Sequence, residues 1–230
     1  MEITVLDPLA FHVDVPALLQ KLRVQEGSAN ADEIRDAVVE AGAVARPKAA
    51  YKVAFIEAKG DDFVTADGVK FTSRILRVNV DGLHRFFPFV ATSGRELEAW
   101  AESKQGLLER FYADAVNQAL LHAAMATFRA HLTERFQLSQ VSVMNPGSLT
   151  DWPLREQRPL FALLGDVRSA IGVELTDSLL MVPTKSVSGI LFVAEETFAS
   201  CQLCPRQDCP NRRAPYDAGL FERKYAEAGD

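Results

Sequence analysis

Tyr51-Lys-Val-Ala-Phe-Ile-Glu-Ala58 and Arg85-Phe-Phe-Pro-Phe-Val-Ala91 decide the fold class, together with the stretch at 69–80 that lies between them. All three are rich in β-branched and aromatic residues, which suit a pleated, half-buried surface. Ala66-Asp67-Gly68 and Asp81-Gly82 sit between them, and Asp-Gly pairs favour the tight turns that join antiparallel strands. These residues therefore predict neighbouring antiparallel strands over 51–58, 69–80 and 85–91.

Working outward, the pattern becomes helical on both sides. Residues 13–45 predict two short helices, one begun by Pro16 and the other by Ala31. Asp32 and Glu33 lie in the first turn of the second, where negative charge suits the helix dipole, and Gly42 and Pro47 mark its end. Downstream, Thr92-Ser93-Gly94 introduces another helix, with Ser93 as N-cap and Glu96 three residues later as in a capping box. The longest helix spans about 109–136. Val116, Leu120, Leu121, Ala124, Met125, Phe128 and Leu132 give it a broad apolar face, which makes it the core helix. A strand after Ser139, a helix over 152–164 and strands over 178–182 and 186–195 complete the order. Regular βαβ alternation is missing, so a doubly wound fold is not expected. The order predicts an α+β fold, a mainly antiparallel twisted sheet with flanking helices. We expect one domain over 1–195 and a cysteine-containing, metal-binding tail over 196–230.

The chain has 230 residues, 48% of them hydrophobic and 24% charged, with a formal net charge of −6. An acidic surface is a poor match for a phosphate backbone, so no nucleic-acid partner is expected. The N-terminus lacks the basic start and apolar stretch of a secretory signal, and no apolar run reaches the roughly 18 residues that span a bilayer. A cytoplasmic protein with no membrane association is the expectation.

The strongest local signal is Cys201-Gln-Leu-Cys204-Pro-Arg-Gln-Asp-Cys209-Pro210, which holds all three cysteines within nine residues. A C-x2-C turn lets two thiolates converge on one ion, and a third can close from a short loop. Pro205 and Pro210 stiffen the loop, which lowers the entropy lost on organising it. The segment has few core-forming residues, so its order is expected to come from a metal and not from packing. Three thiolates leave a position open, which an iron–sulfur cluster or a zinc ion with a further ligand could use; Asp208 lies within the loop. Three free thiols without metal are the remaining reading. Arg206, Arg212 and Arg213 make the tail locally basic, as a solvated loop, a docking surface for an acidic partner or a charge balance for an anionic cluster.

Other signatures are missing. His12, His84, His122 and His131 show no metal-binding spacing, and each reads as a surface or satisfied core residue. No G-x-S-x-G, phosphate-binding loop or dinucleotide fingerprint is present. Two loops stand out, residues 145–153 (Asn-Pro-Gly-Ser-Leu-Thr-Asp-Trp-Pro) and residues 181–189 (Met-Val-Pro-Thr-Lys-Ser-Val-Ser-Gly). Loops of this composition either serve as plain turns or bring backbone amides and hydroxyls close to a ligand.

Together the two loops resemble the activation domain of cobalamin-dependent methionine synthase, over roughly residues 85–193. That family carries a Pro-Gly loop, a helix, and then a segment of the type T-E-S-x-x-M-x-P-x-x-S-V-S-G, matched here by Thr176-Asp-Ser-Leu-Leu-Met181-Val-Pro183-Thr-Lys-Ser186-Val-Ser188-Gly189. The resemblance implies cofactor-facing roles for Pro146, Gly147, Ser148, Trp152, Pro183, Ser186, Ser188 and Gly189. The cysteine tail is not a feature of that domain. It is similar to stand-alone relatives found beside shortened methionine synthases and corrinoid methyltransferases. The implied role is that of an accessory factor for such a partner, aiding reductive reactivation of its Co(II) cobalamin through an iron–sulfur centre on Cys201, Cys204 and Cys209, with a separate electron donor. Two alternatives stay open. One is a non-enzymatic cobalamin-protein interaction module with structural zinc or no metal, and the other an S-adenosylmethionine-binding reactivation domain. The family's methyl-donor loop reads R-x-x-P-G-Y, whereas this chain has Val143-Met-Asn-Pro-Gly-Ser148, without the Arg and Tyr that would grip the methyl donor.

Overall fold

The computed structural model describes residues 2–194, 198–209 and 212–226. Eight antiparallel strands form one curled sheet among them: β1 (Thr4–Leu6), β2 (Lys48–Tyr51), β3 (Ala54–Lys59), β4 (Phe63–Ala66), β5 (Val69–Thr72), β6 (Arg85–Thr92), β7 (Val141–Met144) and, late in the chain, Ser186–Val193. Strand β6 is its hub. One edge of β6 pairs with β2 and then β3, and its other edge pairs with the Ser186–Val193 strand, which in turn holds β7.

Side chains alternate across β6 with the two-residue period of a strand. Phe86 and Val90 enter one core, with Trp152, Ile190 and Phe192. Phe87, Phe89 and Ala91 enter another, with Phe128, Leu132 and Leu191. Both faces are covered, which is why residues 86–91 read as an unbroken apolar run. Each large apolar side chain so enclosed contributes on the order of 1.5–3 kcal/mol.

The helices are α1 (Val15–Leu22), α2 (Ala29–Val44), α3 (Arg74–Asn79), α4 (Arg95–Ser103) and α5 (Leu107–Phe136). Short α6 (Gln157–Leu164), α7 (Val167–Ile171) and α8 (Leu220–Lys224) follow. Two small strands, β8 (Glu174–Leu175) and β9 (Met181–Val182), pair with each other, and the Ser186–Val193 strand is β10. Helix α5 bridges two cores: Ala124, Phe128 and Leu132 lie on the sheet, while Tyr112, Val116 and Leu120 pack with α1, α2 and α4. Among the described residues no helix is long and apolar enough to cross a membrane.

The expected α+β fold with a mainly antiparallel sheet and flanking helices is observed. Three local expectations are corrected. The stretch 69–80 is not one strand, because β5 ends at Thr72 and α3 begins at Arg74. Ser73 caps α3, accepting from the Leu76 N–H at 3.0 Å, and the Asp151 carboxylate accepts from the N–H groups of Arg74 and Ile75. Ser93 does not cap α4. Gly94 does so at φ 100°, and the Ser93 hydroxyl instead donates to the Lys185 carbonyl. Helix α2 also runs past Gly42 to Val44.

The tail packs on the body of the protein. Phe198 and Tyr225 are buried in the first core, and the Phe198 N–H donates to Ser142 Oγ at 2.7 Å. Tyr225 donates its hydroxyl to Asn79 Oδ1 at 2.9 Å, and Arg74 Nε donates to the Tyr225 carbonyl. Core-forming residues on either side of the cysteine loop therefore anchor the tail to the sheet.

Candidate functional site

A cavity of about 720 Å³ lies where α5, the end of β7, the start of β10 and the tail meet. Its volume falls within the roughly 300–1,000 Å³ of small-molecule sites. Helix α5 supplies one wall through Gln118, His122, Met125 and Arg129, a stripe at i, i+4, i+7 and i+11. Val143 and Asn145 come from β7 and the residue after it, Thr184, Lys185, Ser186 and Val187 from the approach to β10, and Cys201, Arg212 and Arg213 from the tail.

The 184–187 wall is fixed by a chain of polar contacts. Glu98 Oε1 accepts from both the N–H and the hydroxyl of Thr184, at 2.6 and 2.9 Å. The Ser93 N–H donates to the Lys185 carbonyl at 3.1 Å. Ser186 Oγ donates to Thr92 Oγ1 at 3.0 Å and lies 2.7 Å from the Pro183 carbonyl. Asn145 Nδ2 donates to the Ser188 carbonyl at 2.8 Å and ties the two loops together. A segment with this many local partners presents its hydroxyls at set positions.

The residues singled out by sequence take different places. Ser186 and Cys201 line the cavity. Pro146 and Pro183 are buried beside it, with Pro183 following a cis peptide bond. Ser188 is buried and accepts from Gln157 Nε2 at 3.2 Å. Gly189 sits where backbones meet, since a Cβ there would lie 2.5 Å from the Met144 carbonyl oxygen. Gly147 has φ +84° and its Cβ position abuts Leu154 at 3.0 Å. Ser148 is exposed, and Trp152 is fully buried in the first core. Within the set, Ser186 and Cys201 face a ligand-sized space, while Trp152, Ser188 and Gly189 hold the scaffold behind it. Sequence reasoning missed His122 and Arg129; their signal was the stripe along α5, legible only once that face is known to be partly open.

Cys201, Cys204 and Cys209 are free and half-buried. The described residues contain no group of three or more His, Cys, Asp or Glu side chains placed to hold a metal ion. Arg212 lies at the loop's centre. Its guanidinium donates to the carbonyls of Cys201, Cys204, Arg206 and Ala214, using the fork of N–H groups that only arginine offers. Cys201 is set apart by its electrostatics. Burial alone would push its thiol up, but the N–H groups of Arg213 and Ala214 and the Arg213 charge outweigh that and hold it below the ordinary thiol value. The Arg213 N–H lies 3.4 Å from Cys201 Sγ.

The same field acts on the opposite wall. Partial enclosure, with Lys21 and Arg213 nearby, holds His122 below the usual imidazole value. Enclosure and Arg213 likewise depress Arg129. The cavity therefore favours negative charge and the thiolate form of Cys201.

Comparison with known proteins places these features. Residues 147–202 match the model of the vitamin B12 dependent methionine synthase activation domain. That segment begins at Gly147 of the Pro-Gly turn and contains the 184–187 wall and Cys201. The fold is similar to the crystal structure of the MetH reactivation domain bound to AdoHcy, at 15% identity and a TM-score of 0.57, covering 86% of this chain and 82% of that one. No curated protein matches the chain. The chain thus resembles the methionine synthase activation domain in sequence over residues 147–202 and in fold over most of its length.

Proposed function

We propose that this protein is an accessory factor for a corrinoid-dependent methyltransferase or a shortened methionine synthase, and that it aids the reductive return of Co(II) cobalamin in that partner. One observation carries the reading. The family match over 147–202 reaches into the tail, and its segment supplies Thr184, Lys185, Ser186, Val187 and Cys201 to a single cavity. Resemblance and geometry point to the same place.

The test is an anaerobic mixture with a candidate corrinoid partner and an electron donor, followed by the Co(II) electron paramagnetic signal. The signal is expected to decay faster with the chain present. Binding to the partner without any change in decay would leave a non-enzymatic interaction module as the function.

An iron–sulfur centre on Cys201, Cys204 and Cys209 would supply single electrons to such a reaction. It requires the three thiolates to converge on one centre, a grouping the described residues do not contain. Iron, sulfide and zinc analysis with a visible spectrum, on protein prepared without oxygen, decides between cluster, zinc and free thiols.

A methyl-donor role has less support. The MetH reactivation domain was crystallised with AdoHcy, but Val143 stands where the family loop has Arg, and Ser148 where it has Tyr. The Val143 side chain offers a bound carboxylate no donor.

A further inference from the structure

The 720 Å³ cavity has a charge pattern that the reactivation reading does not use. The whole chain carries a formal charge of −6. Yet the cavity lining includes Arg129, Arg212, Arg213, Lys21 and Lys185 and no Asp or Glu among the described residues. Lys185 is met by Asp114 at 2.7 Å, and Arg212 is engaged by neutral carbonyls. Arg129 has no hydrogen bond or carboxylate partner among the described residues, and the Arg213 side chain meets the Cys201 thiol. These two guanidiniums feel each other across the cavity, and the Cys201 thiol meets Arg213 alone, so Arg129 faces that repulsion without an anionic partner among the described residues.

We propose that this cavity binds a phosphate-bearing organic anion of nucleotide size, with its phosphates between Arg129 and Arg213 and its apolar part on Leu121, Met125, Val143 and Val187. Guanidinium forks match phosphate oxygens, and a terminal phosphate near neutral pH carries more charge than a carboxylate, as two facing cations require. The apolar wall gives an organic moiety a surface that inorganic phosphate cannot use. The sulfonium of S-adenosylmethionine would add a cation to an already positive space, so the site selects against that ligand. The inference uses the same cavity as the proposed function but does not depend on a corrinoid partner.

The test is calorimetric titration of the full chain with ADP, inorganic pyrophosphate, adenosine and S-adenosylmethionine. ADP is expected to bind, pyrophosphate to bind more weakly and compete with it, and adenosine to give no detectable heat. Affinity for ADP should fall as salt rises from about 50 to about 200 mM. Arg129→Gln and Arg213→Gln should each weaken ADP about tenfold, the loss expected for one charge-assisted contact. Their circular dichroism and melting temperature should stay as in the parent. Arg168→Gln, at a surface pair with Glu174 away from the cavity, should leave ADP binding unchanged. The proposal is overturned by the absence of heat from both ADP and pyrophosphate at millimolar concentration. ADP binding indifferent to both arginine variants overturns it too, as does S-adenosylmethionine binding more tightly than ADP.

Discussion

The carboxylate of Asp151 accepts the backbone N–H of Arg74 at 3.1 Å, across 77 positions of sequence. Its other oxygen accepts the Ile75 N–H at 3.1 Å and the Ser73 hydroxyl. A residue in the loop after the Pro-Gly turn thus serves as a distant N-cap for α3 and fixes that loop to the sheet. Asp151→Ala leaves these donors without their acceptor and should lower unfolding free energy by about 1–2 kcal/mol, the range for losing a helix cap. Urea unfolding measures this, and Asp151→Asn should fall between the two. A variant as stable as the parent would show that the contact is incidental.

Trp152 is fully buried, and its Nε1 has no hydrogen-bond partner among the described residues. Trp152→Ala should cost about 3–5 kcal/mol through the cavity it leaves. Trp152→Phe removes the unpartnered N–H along with part of the volume, so its cost should be clearly smaller. Equal losses in the two variants would place an acceptor on Nε1.

Gly189 permits the close approach of β10 to β7. In Gly189→Ala the added Cβ would sit 2.5 Å from the Met144 carbonyl and 3.2 Å from the Phe89 ring. Backbone, not a flexible side chain, would have to move, so overpacking should cost about 1–3 kcal/mol. Asn145, which lines the cavity and bonds to Ser188, should shift with it. Thermal unfolding measures the first effect, and amide exchange over residues 141–146 and 186–193 the second.

Cys201 should alkylate at pH 7 faster in the parent chain than in Arg213→Gln. Losing the guanidinium raises the thiol's pKa and lowers the reactive thiolate fraction. Mass-spectrometric rates with iodoacetamide across pH 5–10 test this, and the plateau should come at lower pH in the parent. Superimposable profiles would remove Arg213 from the account.

Burial pushes the Tyr225 phenol up to about 12, and its hydrogen bond to Asn79 offsets only part of that. The folded state therefore holds the phenolic proton more tightly than the unfolded chain does. The resulting stability is fully present below the ordinary tyrosine value of about 10 and is lost as pH rises towards 12. Stability measured across that window should fall less in Tyr225→Phe than in the parent.

Several features are legible in the order of residues alone. Residues 85–91 announced a strand, and the Val116–Leu132 periodicity announced the core helix. The resemblance was likewise carried by the sequence, through the Pro-Gly turn and the Ser-Val-Ser-Gly segment. Residues 73–80 were misread because their apolar content suits a strand as well as a buried helix, and the carboxylate that decides between them lies at Asp151. Ser93 was misread for a related reason. Its hydroxyl had a local role open to it, as a cap, and took the Lys185 carbonyl across the fold instead.

By itself, then, the sequence determined the α+β class, the core helix, the resemblance over roughly residues 85–193 and the clustering of the cysteines, because each rests on neighbours or on a fixed period along the chain. Only the tertiary structure decided what those cysteines face. It placed Arg212 at the centre of their loop, brought Cys201 beside Arg213, and set both across a cavity from Arg129. Charge and ligand preference depend on distances through space between residues far apart in sequence. Only folding sets those distances.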